Sequence, residues 1–198
     1  MDNTPPWIYQ LHQHQLAWWV SAVDKLRLSS IVNKVRRDTK SVPAGERFST
    51  IEALALLDAQ LRLRRKAYDT DRILDHALFS IEDVAFNSMV IRANSQLNHI
   101  AHFLHQEIPA DLKVSMKKTE KALEDLWDPH LSRYYCRDFI THNLIKVPSM
   151  ATLLPLYAGS VSAERAAELV KLLENPTIFG TPYPVPSVPA DAKEFRPK

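Results

Sequence analysis

The chain has 198 residues, 45% of them hydrophobic and 24% charged, which is the composition of one folded globular domain and sets it apart from disordered chains. Its 25 basic and 23 acidic side chains leave a net charge of only +2, so nothing in the charge balance points to a nucleic-acid or anionic-membrane partner. Cys136 is the single cysteine, which excludes an intrachain disulfide, a CxxC redox pair and a cysteine-built zinc site, and a cytoplasmic protein is expected.

With three glycines and few segments that alternate apolar with polar residues, the helical period is the pattern to follow. The stretch from Asn3 to Val23 is uncharged, yet Pro5, Pro6, Gln10, His12, Gln13, His14 and Gln15 make it too polar to span a membrane, and it lacks the basic start of a signal peptide. After Pro6, the residues Leu11, Trp18, Ala22, Val23 and Leu26 predict a first helix, which gives way to a polar stretch from Asn33 to Glu46. Ser49 followed by Glu52 has capping-box spacing and opens the apolar run Ile51 to Leu57. The basic cluster Arg62, Arg64, Arg65 and Lys66 falls at the end of that helix, where the dipole favours cations.

The strongest periodicity runs from Glu82 to His105, where Phe86, Val90, Ala93, Leu97, Ile100 and Leu104 recur at steps of four and three. It predicts the longest helix, with that stripe buried. Pro109 suits the first turn of a further helix reaching Trp127 and ended by Asp128 and Pro129. Tyr134, Tyr135, Phe139, Ile140 and Ile145 around Thr141, His142 and Asn143 predict a small hairpin between Leu131 and Lys146. A short helix is expected from Ser149 to Tyr157, and a clear one from Ser162 to Glu174 with Ala166, Leu169, Val170 and Leu173 on one side. The uncharged residues 147–163 are broken by Pro148, Pro155 and Gly159 and fall short of the roughly 20 residues a membrane span needs. From Asn175 onward six of the 13 prolines exclude regular structure. The expected fold class is all-α with a small β-hairpin.

His99, His102 and His105 are three apart on a helix, but six residues rotate the outer pair away from each other, and His12 and His14 point to different sides. A solvated polar face accounts for the trio, and neither a metal site nor a cofactor is expected. Thr181 to Pro189 holds a PxxP match from Pro186 to Pro189 and reads either as a polyproline ligand or as an ordered loop that walls a cleft. Taken alone, Asp2 is an acidic residue near a chain end.

The string Met1-Asp2-Asn3-Thr4-Pro5-Pro6-Trp7 resembles the DNSP-W or DNTP-W segment of inverting α-glycosidases of the mannosylglycerate hydrolase and processing α-glucosidase type, glycoside hydrolase family 63. Ile8 stands where that family often has a second aspartate. The resemblance continues in order. Arg37-Asp38-Thr39, Val42 and Arg47 are similar to a polar run of the family, and Ile81-Glu82-Asp83-Val84-Ala85-Phe86-Asn87 with Arg92-Ala93-Asn94 to its VEDP-FN and RAN helix, with Val84 in place of proline. Ala53 and Leu54 stand where acidic and aromatic residues are commoner in the family. Leu126 to Pro129 with Tyr134 and Tyr135 resembles its short hairpin, Leu153 to Gly159 its LPLYAG helix, and Phe179 to Val188 its substrate-side loop.

The resemblance implies an (α/α)6 toroid, a carbohydrate substrate and Asp2 as general acid. It makes Trp7 a sugar-stacking platform, against the alternative of a core tryptophan, and Tyr183 and Ser187 sugar contacts, against the alternative that they only order their loop. An inverting enzyme needs a second carboxylate, roughly 6.5–9.5 Å from the first, to activate water. The family's general base follows the loop, so residues 1–198 are expected to form a single partial domain lacking its C-terminal part. Inner helix faces, notably around Ile51 to Leu57, are then expected to be uncovered and prone to self-association. If the chain were active alone, Glu82, Asp83 or Asp138 would have to serve as base. The rival reading is a helical scaffold that uses the fold without chemistry.

Overall fold

The computed structural model describes residues 17–36, 41–42, 47–75, 80–193 and 195, apart from the side chains of Val35 and Asp75. These residues group into two compact units that divide between Ser80 and Ile81.

In the first unit, α1 (Trp18–Lys25) and α2 (Ser29–Val35) both pack on α3 (Thr50–Arg65). The single helix expected here is split because Arg27 takes a left-handed backbone (φ 54°), which an α-helix cannot propagate through. The capping box forms as the spacing predicts: Ser49 Oγ accepts from the Glu52 amide at 3.2 Å, and Glu52 Oε2 accepts from the Ser49 amide at 2.7 Å. Asp58 is 4% exposed, and its carboxylate accepts from Trp19 Nε1 (3.2 Å) and Arg62 Nε (2.7 Å), which ties α1 to α3 and leaves the buried charge paired. The run Ile51 to Leu57 is mostly half-buried, with only Leu57 exposed, so it is not the uncovered face expected of it. A short α4 (Thr70–Asp75) follows a turn through the left-handed Ala67 and Tyr68.

The second unit carries two small antiparallel sheets. β1 (Ile81–Glu82) pairs with β4 (Cys136–Asp138), which pairs with β5 (Leu144–Ile145), while β2 (Trp127–Asp128) pairs with β3 (Arg133–Tyr134). The β4–β5 hairpin is the one predicted, its turn held by Asp138 Oδ1 accepting from the Ile140 and Thr141 amides at 2.9 and 2.7 Å. The helix α6 (Ala110–Glu124) stops before Trp127 because Trp127 and Asp128 are taken into β2. Asp128 is 2% exposed: its Oδ1 accepts from the His130 and Leu131 amides, and its Oδ2 meets Lys146 Nζ at 2.6 Å. Those contacts hold its carboxyl below the usual range, the Lys146 hydrogen bond first among them, against the opposing cost of burial.

Between β1 and β2 in chain order come α5 (Val84–Phe103), the longest helix among the described residues, and α6, which packs on it, with α5 also packing on α7 (Leu154–Ala158). A 3-10 turn, Met150–Leu153, leads into α7, and α8 (Ala163–Glu174) starts where Ser162 Oγ accepts from the Arg165 amide. The core gathers Val84, Ile91, Leu123, Leu126, Tyr134, Cys136, Ile145, Leu153, Leu169 and Phe179. Over it, Arg165 lies 5.1 Å from the Trp127 ring centre and pairs with Glu124, while Trp127 meets Tyr134 edge to face at 4.9 Å.

The stripe expected to be buried on α5 is not. Val84, Ser88 and Ile91 face the core, and Phe86, Ala93, Leu97, Ile100 and Leu104 lie on the opposite side, exposed, with Val90 half-buried. The helix has two apolar faces, and periodicity selects the richer one; α6 and α7 cover the other.

Candidate active site

The loop from Phe179 to Val188 is built by anchoring it at successive points. The Asn175 carbonyl, at the end of α8, accepts from the Ile178 amide (3.0 Å) and the Gly180 amide (2.8 Å). Glycine is required at 180 by close approach: a Cβ there would meet the Glu174 carbonyl oxygen at 2.6 Å and its carbon at 2.8 Å. Phe179 fills the core beneath, and its carbonyl accepts from the Val185 amide at 2.9 Å, closing the loop on itself. Val185 sits at φ 60°, a left-handed conformation rarely taken by a β-branched residue, so the tip is held under local strain. Further on, the Ser187 carbonyl accepts from the Met150 amide (3.0 Å), the Ala190 amide donates to the Ile178 carbonyl (2.9 Å), and Arg133 pairs with Asp191 at 2.7 Å.

The proline string is therefore an ordered loop, fastened to α8 and to the 3-10 turn. Its tip presents Tyr183, 90% exposed, while Thr181 Oγ1 donates to the Tyr183 carbonyl at 2.6 Å; Ser187 lies half-buried at the loop's base. Asp2 and Trp7 lie outside the described residues. A cavity of about 250 Å³ beside Glu82, Asn87, Lys118 and Leu126 contains no residue of the loop.

The three carboxylates named as substitute bases are each engaged in holding the fold. Glu82 pairs with Arg137, which also reaches Asp125. Asp83 caps α5, its Oδ1 accepting from the Phe86 amide at 2.7 Å and its Oδ2 facing Cys136 Sγ at 3.5 Å, and Asp138 closes the β4–β5 turn. Cys136 itself is buried, which pushes its thiol up to about 12. His99, His102 and His105 are all exposed.

A model of the mannosylglycerate hydrolase MGH1-like glycoside hydrolase domain matches residues 1–198, the whole chain. The chain belongs to that family. It is similar to the mannosylglycerate hydrolase of Thermus thermophilus, 30% identical over 199 residues that cover 100% of this chain and 44% of that protein. The mannosylglycerate hydrolase of Rubrobacter radiotolerans is 28% identical over 94% of this chain and 41% of its own length. Among solved structures, the family 63 mannosylglycerate hydrolase from a second strain of Thermus thermophilus, in complex with Tris, superposes with a TM-score of 0.72 at 32% identity, covering 82% of this chain and 39% of that one. Its complex with glucose covers 100% of this chain and 44% of that one, also at a TM-score of 0.72. The chain thus spans less than half the length of the relatives it matches. Its all-α fold with small β-hairpins is part of the (α/α)6 toroid of these family 63 proteins.

Two family-motif residues left without a role by sequence reasoning come together in the structure. Arg92, from the RAN triplet, stacks 5.5 Å from the ring centre of the exposed Tyr157 of the LPLYAG helix. They are 65 positions apart, and no local pattern links them. The strain at Val185 was equally hidden, since a valine between two prolines reads as extended backbone.

Proposed function

We propose that residues 1–198 form part of a single inverting glycoside hydrolase domain acting on an α-linked glucoside or mannoside such as mannosylglycerate, with Asp2 as general acid. The match of the family model over the whole chain carries this reading, and the glucose and D-glycerate complexes of the similar Thermus enzyme support a carbohydrate substrate. The anchoring of the Phe179 to Val188 loop supports Tyr183 as a pyranose contact: an exposed ring on a fastened support binds with little ordering cost. Ser187 at the loop's base and Trp7 near the acid are the companion contacts of this proposal.

The second carboxylate lies, on this reading, in the part of the domain that the chain does not span, since Glu82, Asp83 and Asp138 are occupied by structural partners. One protonated carboxyl without an activated water does not complete an inverting displacement. No helix among the described residues is long and apolar enough to cross a membrane. A cytoplasmic location is proposed from the lone buried thiol, and a near-neutral charge supports a partner other than nucleic acid.

The test assays the purified chain against mannosylglycerate and α-glucosides beside an Asp2→Asn variant. Equal, background-level release of sugar from both is expected. Turnover by the chain that disappears in Asp2→Asn would place a second carboxylate within residues 1–198 and refute the partial-domain reading.

A further inference from the structure

The cavity of about 250 Å³ is walled from two directions, and every residue that lines it belongs to the second unit. Lys118, Ala122 and Leu126 follow one another at steps of four along α6 and just past its end, with Thr119 and Leu123 beside them, so one face of that segment makes one wall. Glu82 of β1 and Asn87 in the first turn of α5 make the other. The volume falls just under the roughly 300–1,000 Å³ of pockets for drug-sized ligands, which suits a ligand of about a dozen heavy atoms.

The polar side chains of these walls are fixed, each by a bond that leaves an acceptor over. Glu82 Oε2 pairs with Arg137 Nε, and Arg137 is braced in turn by Asp125, so Glu82 retains Oε1. Asn87 Nδ2 donates to the Asp83 carbonyl at 2.7 Å, which fixes the amide and leaves Oδ1. Thr119 Oγ1 donates to the Ser115 carbonyl at 3.0 Å, so its hydrogen is committed and its lone pairs are not. Among the described residues neither these three acceptors nor Lys118 Nζ meets a further partner. Three acceptors thus stand against one donor. An incoming anion brings only more acceptors, and an incoming cation meets Lys118 and Arg137. A neutral compound rich in hydroxyl groups matches the set, donating to Glu82, Asn87 and Thr119 and accepting from Lys118. Ala122 and the buried Leu123 and Leu126 add an apolar side, which the CH face of a pyranose covers and which a linear polyol covers only by giving up its freedom of rotation.

We propose that this cavity binds a neutral monosaccharide, between Glu82 and Asn87 on one side and the Lys118 to Leu126 face on the other. It needs neither Asp2 nor the Phe179 to Val188 loop, so it is tested independently of the glycosidase reading. No aromatic ring lines the cavity, so the affinity is millimolar. Amide proton–nitrogen correlation spectra of the isotope-labelled chain, titrated with D-glucose or D-mannose, are expected to move the Thr119, Ala122 and Leu123 amides along saturable curves with a Kd of about 1–20 mM. Ala122→Phe fills the space and is expected to weaken binding roughly tenfold or more, and Thr119→Val, which keeps the shape and removes the acceptor, about threefold to tenfold. Lys121→Phe, on α6 but outside the cavity, leaves the Kd unchanged. Unchanged far-UV circular dichroism verifies that the variants fold. Cavity amides that do not move up to about 200 mM sugar overturn the proposal, and so does an Ala122→Phe protein that binds like wild type. Tighter binding of acetate than of glucose would assign the cavity to an anion held by Lys118 and overturn it too. Shifts confined to the Phe179 to Val188 loop would overturn the cavity site and leave the glycosidase reading standing.

Discussion

Substituting alanine at two glycines, one at a time, separates two kinds of constraint on the second unit. At Gly180 a methyl group would sit 2.6 Å from the Glu174 carbonyl oxygen, 0.8 Å inside the 3.4 Å at which ordinary contact begins, and the atoms it meets are backbone. If the loop backs away by that amount, the 2.8 Å hydrogen bond from the Gly180 amide to Asn175 lengthens to about 3.6 Å and is lost. The neighbouring Phe179 is drawn from its buried seat as well. Loss of the hydrogen bond costs about 1 kcal/mol and displacing the fully buried Phe179 about 2–3 kcal/mol, offset by about 0.5–1 kcal/mol from the stiffer unfolded chain, for a net cost of roughly 2–3.5 kcal/mol. Gly159 is different. It caps α7 at φ 72° with nothing within 4 Å of a built Cβ, so alanine there meets only the left-handed backbone cost of about 1 kcal/mol. Thermal melts followed by circular dichroism should show a fall of roughly 5–10 °C for Gly180→Ala and about 2–4 °C for Gly159→Ala. Chymotrypsin should cut the Gly180→Ala protein faster after Phe179, the residue drawn from its buried seat. A Gly180→Ala protein that melts within about 2 °C of wild type, or a larger loss for Gly159→Ala, would refute the close-approach argument.

Asp128→Asn should destabilise by roughly 1–3 kcal/mol, since two backbone amides and Lys146 lose their charged acceptor. Because the folded carboxyl titrates below its ordinary 3.8, its contribution is present above that value and lost as pH falls through the lower folded one, so the gap between wild-type and variant melting temperatures should close in acid. Cys136 should resist thiol reagents in the folded protein at mildly alkaline pH and react fully in denaturant; rapid labelling without denaturant would contradict its burial and raised pKa. Val185→Gly relieves the positive φ while losing half-buried packing, so urea titration should find it within about 1 kcal/mol of wild type.

Sequence reading recovered those features of the fold that local physics dictates. Ser49 with Glu52 is a short-range cap that starts its helix in the structure as the spacing predicts, and the helix expected from Ser162 also begins there, its first turn closed by Ser162 Oγ accepting from the Arg165 amide. The β4–β5 hairpin was legible from aromatic and β-branched residues around a polar turn. Strand β1 was not, because two residues carry no period and its partner lies more than fifty positions away. Burial of α5 failed for a further reason: periodicity says that a stripe wants covering, but only the supply of neighbours says which stripe is covered. The loop at Phe179 to Val188 was recognised by resemblance, whereas the anchors that order it, Gly180 against Glu174 and Ser187 to Met150, are long-range or steric facts that composition does not encode.

The most direct test of the glycosidase reading joins this chain to the part of the Thermus thermophilus domain that it does not span and follows mannosylglycerate hydrolysis by proton magnetic resonance. The anomer first released reports inversion or retention directly. For a product whose folding is verified by circular dichroism, the account predicts hydrolysis with inversion, lowered about 10²–10⁴-fold by Asp2→Asn because the leaving oxygen then departs without a proton. Release with retention, or an Asp2→Asn protein that keeps the parent rate, would contradict it.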